Sequence, residues 1–161
     1  MNIFVMRHGE AEVMAKTDQD RHLTQYGQKQ AFVQGEWLKN YLNSTALSFD
    51  YILVSPYLRA LETFEQVNQS FEGGLSAHME IWEGITPYGS AELVVDYLSV
   101  LEKQGVETVL MISHLPLVGE IVAELYGKRN PVGFYPATLV QMDWNEGKGR
   151  IVTHQYPPEM L

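Results

Sequence analysis

Cysteine is absent from the 161-residue sequence, and lysine and arginine together supply only 11 residues. Without cysteine the chain forms neither disulfides nor thiolate metal sites, and it gives no indication of redox compartment. The 20 acidic residues bring the formal net charge to −9. This charge argues against nucleic acid or an anionic membrane as a partner held by a broad basic surface. If the chain binds an anion, it must do so at a local cluster of positive charge.

Long apolar runs are missing as well. No segment approaches the roughly 20 apolar residues needed to cross a bilayer, and the first residues lack the basic and apolar regions of a signal peptide. We therefore expect a soluble, cytoplasmic protein. With 161 residues and 45% hydrophobic content, the chain is the size of one ordinary domain. We predict a single domain over residues 1–161, and a monomer.

The sequence alternates short apolar runs with amphipathic stretches, which indicates an α/β protein. Near-continuous apolar runs are typical of strands buried on both faces of a parallel sheet. The predicted strands are Asn2–Met6, Tyr51–Ser55 and Thr108–Ser113, with a weaker one at Ser76–Met79. The predicted helices begin at Thr24, Pro56, Ser90 and Pro116. The C-terminal segment reads as two strands about a turn, so we predict a three-layer sandwich: a mostly parallel central sheet, helices on both faces, and an antiparallel edge hairpin.

Polar side chains stand at the ends of three predicted strands. Arg7 and His8 end the first, Arg59 lies one turn into the helix after the second, and His114 follows the third. Ligands of open α/β sheets bind outside the carboxyl ends of the strands, so we expect these side chains to converge there. Neighbouring side chains on a strand point to opposite faces, so we expect the chain to leave the ladder before His8. Gly9 would permit that turn and a close approach of the backbone to a ligand.

A phosphoryl group fits this set of side chains best. Two guanidinium groups offer forked donors that match phosphate oxygens, and the helix N-termini at Pro56 and Pro116 add positive dipole ends. A neutral histidine in line with the phosphorus can attack it to give a phosphohistidine intermediate. A second histidine, if cationic, would stabilise the negative charge of the transition state. One such side chain alone is usually structural, but three coincident strand ends favour the phosphate site.

A metal site is the main chemical alternative, since Glu10 and Glu12 stand near His8. However, the five histidines show neither HxxxH nor HxH spacing. We therefore expect neither a metal nor another cofactor.

The segments MRHGEAE, SPYLRALET and ISHLPLVG together resemble the histidine phosphatase superfamily, which includes the cofactor-dependent phosphoglycerate mutases. The resemblance covers essentially the whole chain. Arg21 just before the Leu23-Thr24-x-x-Gly27 step makes the sequence similar, more narrowly, to bacterial phosphohistidine phosphatases of the SixA type. The segments ITPYG and SHLPLVGEIVAELYG carry the same narrower similarity.

The resemblance implies specific roles for the strand-end residues. His8 is implied to be the nucleophile that becomes phosphorylated, and Arg7, Arg59 and His114 to form the phosphate pocket around it. These roles agree with those expected from the residues themselves.

Four further residues are weaker candidates. Arg21 makes either an additional phosphate contact or a surface ion pair, and Leu115, next to His114, is a second candidate for phosphate binding. Glu83 occupies the place where many superfamily members carry a general acid, with Glu80 as a further candidate. Phosphohistidine phosphatases of this type are thought to lack a strong acid, so Glu83 could equally be structural or face the substrate.

The spacing of the site residues bears on the substrate. Superfamily members that act on small molecules often carry insertions that cover the site, whereas only 54 residues separate Arg59 from His114 here. An uncovered pocket grips small ligands poorly but admits a phosphorylated side chain of a protein. We therefore expect a phosphohistidine phosphatase that acts on a phosphorylated protein, such as a histidine phosphotransfer domain of a His-Asp relay. The alternatives are a phosphatase of small phosphate esters and a non-catalytic phosphate-recognising module.

Overall fold

The three main strand predictions are confirmed in the computed structural model, which describes residues 1–159 and 161. The strands are β1 Asn2–Arg7, β2 Tyr51–Val54, β3 Met79–Ile81, β4 Thr108–Ser113, β5 Leu139–Asn145 and β6 Lys148–Gln155. The helices are α1 Gln25–Thr45, α2 Leu58–Ser70, α3 Ala91–Lys103 and α4 Leu117–Tyr126, with short 3₁₀ helices at Asp18–Asp20, Ser76–His78 and Glu83–Ile85. None of the helices within the described residues is long and apolar enough to cross a bilayer.

The six strands form one sheet in the order β3-β2-β4-β1-β5-β6. Strands β1 to β4 run parallel, while β5 pairs antiparallel with β1 and β6 pairs antiparallel with β5. The predicted α/β sandwich and its antiparallel C-terminal hairpin are therefore confirmed. Because β1, β4 and β2 are neighbours, their carboxyl ends meet at one edge of the sheet.

The weaker strand, predicted near Ser76–Met79, exists but is displaced along the chain to Met79–Ile81. Residues 76–78 form a 3₁₀ helix, and the strand begins only at Met79. The side chain of Asn68 explains the difference, because it accepts a hydrogen bond from Leu75 N and donates one to Ser76 Oγ. These bonds hold the segment against the end of α2 until the chain reaches the sheet.

The predicted helix starts are close to the observed ones. Thr24 and Ser90 are N-caps, whose hydroxyls accept hydrogen bonds from Gly27 N and Leu93 N. Helix α4 likewise begins directly after Pro116, whereas α2 begins two residues after Pro56, at Leu58.

Each face of the sheet carries its own hydrophobic core, and β1 contributes alternately to both. Ile3 and Val5 pack on the side of α3 and α4, while Phe4 and Met6 pack on the side of α1 and α2. The same alternation directs the next two side chains, those of Arg7 and His8, to opposite faces of the sheet.

Candidate active site

The first site residues lie at the carboxyl end of β1, which ends at Arg7, so His8 follows the strand as expected. The backbone N–H of His8 donates to Ser113 O at 3.0 Å, and its carbonyl accepts from Ala137 N at 2.9 Å. These two bonds keep the backbone of His8 close to the sheet directly after the strand ends. The side chain of His8 is only 7% exposed, so it does not lie at an open sheet edge.

The ring of His8 is oriented by a hydrogen bond to the next residue. Its Nδ1 lies 2.7 Å from the carbonyl oxygen of Gly9. Since a carbonyl only accepts, Nδ1 carries the proton of the neutral ring and Nε2 carries the lone pair. Arg59 Nε donates to this Nε2 at 3.3 Å. The basic nitrogen of His8 thus faces a guanidinium group.

His8 is held in its neutral form. Burial is the main cause that lowers its pKa, and the charges of Arg59, Arg7 and Arg21 act in the same direction. Against the opposing effect of the Gly9 hydrogen bond, these together bring the pKa to about 3. The ring therefore stays neutral at neutral pH, with its single proton on Nδ1. The lone pair on Nε2 can then form a bond to an electrophile in place of the hydrogen bond from Arg59.

Arg59, the second residue of α2, is buried and makes three side-chain hydrogen bonds, one of them to His8. Its Nη1 donates to the carbonyl of Asp18 at 2.6 Å, and its Nη2 donates to Asp18 Oδ2 at 3.1 Å. The guanidinium carbon also lies 5.1 Å from the centre of the Tyr57 ring. These contacts fix the plane of the guanidinium beside His8.

Arg7 supplies a second positive charge from the α3–α4 side of the sheet. Its Nη1 donates to the carbonyl of Phe134 at 2.9 Å. Its buried Nε has no hydrogen-bond partner among the described residues. Burial, followed by the charge of Arg59, lowers the pKa of Arg7. An anion placed between Arg7 and Arg59 would relieve their repulsion.

His114 follows β4 and lies with its ring centre 5.1 Å from that of His8. Its Nε2 is 2.7 Å from Ser55 Oγ, which itself accepts from Tyr57 N. With the Ser55 hydroxyl donating to Nε2, the ring proton is on Nδ1, a buried atom without a partner in the described part of the chain. His114 thus has an N–H near His8, unpaired within the described residues, that could donate a hydrogen bond to a phosphate oxygen.

His114 is neutral, whereas the sequence allowed a cationic second histidine. Burial first, and then the neighbouring His8 and Arg59, bring its pKa down to about 2. Without an anion in the pocket, His114 is therefore a neutral donor. A bound phosphoryl group would oppose this shift, because its negative charge favours the protonated ring.

The two predicted helix N-termini also point to this edge of the sheet. Helix α2 begins at Leu58 and α4 at Leu117, and neither N-cap residue makes a side-chain capping bond. Their free N–H groups and dipoles add to the positive potential of two arginines. The arrangement suits a tetrahedral anion held against the Nε2 atom of His8.

Gly9 is required for a reason other than the predicted turn. It does not adopt a positive φ. Instead, a Cβ atom at Gly9 would lie 2.5 Å from the carbonyl oxygen of Gly27, and a Cβ at Gly27 would clash with the carbonyl of Glu10. The glycine of the RHG motif and that of the LT-xx-G motif therefore let two backbone segments touch.

The Glu62-Thr63 pair in SPYLRALET anchors the segments around the site. Thr63 Oγ1 accepts from Gly9 N and donates to Arg59 O. The Glu62 carboxylate accepts from Leu23 N at 2.7 Å and lies 2.8 Å from a ring nitrogen of His22. The segment of residues 10–22 is called the 10–22 loop below. The contacts with Gly9 and Leu23 connect α2 to the residues on either side of this loop.

Arg21 pairs with Asp18, and its charge still acts on His8. Its Nη1 donates to Asp18 Oδ1 at 3.0 Å and its Nε to Glu12 O at 2.6 Å, so the ion-pair alternative describes its contacts. Leu115 directly follows His114 and is exposed. The Glu10 carboxylate accepts from the Thr24 hydroxyl, and no group of three metal-ligating side chains occurs within the described residues.

The two acid candidates differ in their distance from the site. Glu83 is exposed on its 3₁₀ helix and close enough to contribute to the raised pKa of Tyr57, after burial, Tyr88 and Asp18. Glu80 lies on edge strand β3, where its charge acts on Tyr97 instead. Glu83 is therefore at the rim of the site, and Glu80 is not.

Asp18 and Ser55 were missed as site residues by the sequence reasoning. Ser55 lies in the SP motif, so its position before Arg59 was a usable signal. Asp18 lies in the polar run TDQDR, where nothing distinguishes it from Asp20. Only the folded 10–22 loop reveals that Asp18 contacts Arg59.

Comparisons with known proteins agree with this geometry. A family model described as the histidine phosphatase superfamily (branch 1) matches residues 3–93. A phosphohistidine phosphatase SixA homolog of Haemophilus influenzae (strain ATCC 51907 / DSM 11121 / KW20 / Rd) is 64% identical over 98% of this chain and 97% of its own length. Phosphohistidine phosphatase SixA of Escherichia coli (strain K12) is 36% identical over 98% of this chain and 94% of its own.

A solved structure shows the same fold. The protein histidine phosphatase SixA complexed with tungstate superposes with a TM-score of 0.87 at 36% sequence identity, covering 98% of this chain and 97% of that chain. The similarity extends over the sheet, the helices and the C-terminal hairpin together. The family model and these near full-length relatives show that the chain belongs to the histidine phosphatase superfamily, branch 1.

Proposed function

We propose that this chain is a phosphohistidine phosphatase that acts on a phosphorylated protein through a phosphoenzyme intermediate on His8. One observation carries the proposal: the lone pair of a buried, neutral His8 faces Arg59 Nε at 3.3 Å. A pure phosphate-binding module has no need of a neutral histidine at this position. The relatives named as phosphohistidine phosphatases support the same activity.

The reaction follows from the orientation of the His8 ring. Nε2 of His8 forms a bond to phosphorus while the phosphorus–nitrogen bond of the substrate breaks, and the electron pair stays on the leaving imidazole. Arg7, Arg59 and the Nδ1–H of His114 bind the phosphoryl oxygens as their charge redistributes. Water then attacks phosphorus, the bond to Nε2 breaks, and inorganic phosphate leaves with His8 restored.

The surroundings of the pocket favour a protein substrate. The 54 residues between Arg59 and His114 supply only the rest of α2, short elements around β3, helix α3 and strand β4. Exposed apolar side chains occur near the site: Tyr88, 82% exposed, beside Tyr57, and Leu115 next to His114. The tip of the 10–22 loop adds Val13 and Met14, which are 86% and 84% exposed. Such a rim can pack against a partner surface that presents phosphohistidine, as on a histidine phosphotransfer domain.

Substrate preference tests this function directly. We expect kcat/KM for a phosphorylated histidine phosphotransfer domain to exceed that for alkyl phosphate esters by at least about 100-fold, the lower end of what a general acid contributes. An imidazole leaves readily once its other nitrogen is protonated, whereas an alkoxide needs a strong proton donor. Phosphate release from both substrates at matched concentrations provides the measurement. Fast ester turnover would favour the small-molecule alternative, and phosphate binding without turnover would favour the binding module.

Replacing Glu83 by glutamine tests whether a general acid is present. We expect less than about a tenfold fall in kcat/KM on the phosphoprotein, well below the 10²–10⁴ typical of a general acid. The reason is the leaving imidazole, which takes its proton without an enzyme acid. Glu80→Gln, on β3, is the matched control, and both variants are assayed from pH 5 to 9. A loss near a thousandfold for Glu83→Gln alone would identify Glu83 as a true acid.

A further inference from the structure

Asp18 joins two arginines at the edge of the pocket. Its Oδ1 accepts from Arg21 Nη1 at 3.0 Å, and its Oδ2 accepts from Arg59 Nη2 at 3.1 Å. The backbone carbonyl of the same residue accepts from Arg59 Nη1 at 2.6 Å. One residue thus occupies both terminal nitrogens of Arg59.

This arrangement decides which edge of Arg59 faces the reacting atom. A guanidinium is a rigid plane, so fixing its two terminal nitrogens also fixes the direction of Nε. In the structure Nε is directed at the Nε2 atom of His8, 3.3 Å away. Asp18 itself makes no hydrogen bond to His8 or His114 within the described residues. Any effect of Asp18 on these rings must therefore pass through Arg59 or through its charge.

The 10–22 loop is built to hold Asp18 in place. Its two arms are joined by an antiparallel bridge between Ala11 and Leu23, and Glu12 N donates to the carbonyl of His22. Arg21 connects the arms again, because it binds Asp18 with Nη1 and the carbonyl of Glu12 with Nε. The hydrogen bond from Arg21, followed by that from Arg59, lowers the pKa of Asp18, so the carboxylate stays charged at neutral pH.

We propose that Asp18 is a positioning residue, which holds the end of Arg59 so that Nε faces the phosphoryl group during transfer to His8. The inference rests on the roles of His8 and Arg59 in the proposed function. An alternative is that the carboxylate competes with phosphate for the arginines and slows the reaction. The two possibilities predict opposite effects when the charge is removed.

Asp18→Asn and Asp18→Ala, with Asp20→Asn as the control, separate these possibilities. Asp20 lies in the same 3₁₀ helix and bonds only to Thr17 among side chains of the described residues, so its variant removes equal charge without releasing Arg59. We expect kcat to fall by about 10- to 100-fold in Asp18→Ala, the scale of a lost charged hydrogen bond, with KM changed less than about threefold. Asp18→Asn keeps an acceptor and should lie between Asp18→Ala and the wild type. Asp20→Asn should match the wild type.

A double-mutant cycle shows whether Asp18 acts through Arg59. In an Arg59→Ala background, Asp18→Ala should change the rate of phosphoenzyme formation by less than about twofold, because nothing remains to be positioned. An undiminished effect in that background would mean that Asp18 merely supports the loop, and it would overturn the proposal. A higher kcat/KM, or tighter inhibition by inorganic phosphate, in Asp18→Asn would overturn it in favour of competition. If Arg59→Ala itself had no effect, the proposed function would fail instead.

Discussion

Replacing His8 by alanine is expected to lower kcat on a phosphorylated histidine phosphotransfer domain by at least about 10⁴-fold, since loss of a nucleophile removes the covalent route altogether. The structure gives the reason at the level of one atom. Nδ1 is occupied by the Gly9 carbonyl, so Nε2 is the ring atom that can form the bond to phosphorus. His114 cannot replace it, because its Nε2 is engaged with Ser55.

The measurement combines turnover with trapping of the intermediate. Wild-type protein mixed with labelled substrate and quenched in base should carry acid-labile phosphate, and the His8→Ala protein should carry none. His78→Ala, an exposed histidine in the 3₁₀ helix Ser76–His78, is the matched control and should retain both properties. Because His8 is buried, thermal unfolding of each variant must show that the fold is retained. Appreciable turnover by folded His8→Ala protein would contradict the assignment.

Replacing Arg59 by alanine has the second largest expected effect, a fall of about 10²–10³ in kcat, as found when one preorganised donor to a transition state is removed. Arg59 contributes a charge, an Nε–H beside His8 and a contact with Tyr57, and alanine removes all three. Arg59→Lys keeps a positive charge but lacks the planar fork, so it should recover only part of the rate. A single-turnover rate of His8 phosphorylation is the direct readout.

The control for Arg59 is Arg150→Ala. Arg150 is exposed on the C-terminal hairpin and pairs with Asp143, so its loss removes the same charge from the chain at a distance from the site. Wild-type kinetics in Arg150→Ala together with a large loss in Arg59→Ala would locate the effect at the pocket. Equal, small losses in both would indicate that only the overall charge matters.

The parts of the fold that the sequence predicted well are those decided by burial. The centres of the runs YILVS and TVLMIS are apolar, because β2 and β4 are covered on both faces. Such short apolar segments predict strands rather than helices. The convergence of Arg7, His8, Arg59 and His114 was predictable for a related reason: the ends of parallel strands share one edge. The strand predicted near Ser76–Met79 is displaced because a single side chain, Asn68, decides the local backbone there.

The details of the site depend on contacts that no local pattern encodes. The neutral state of His114 results from burial together with the proximity of His8 and of the Arg59 charge, and both residues are distant from it in sequence. The contact of Asp18 with Arg59 depends on the course of a loop between two fixed ends. The requirement for Gly9 comes from a second glycine 18 residues later.

The close contact between Gly9 and Gly27 holds the backbone next to His8 independently of the exposed part of the 10–22 loop. The main chain at Gly9 is seated on the start of α1, and the bridge between Ala11 and Leu23 closes the base of the 10–22 loop. The tip at Val13 and Met14 lies beyond this base and is exposed. Under the proposed function, substitutions at the tip would alter which protein surface is accepted while Nε2 of His8 stays in place. A lineage of such enzymes could change partners without rebuilding its catalytic apparatus.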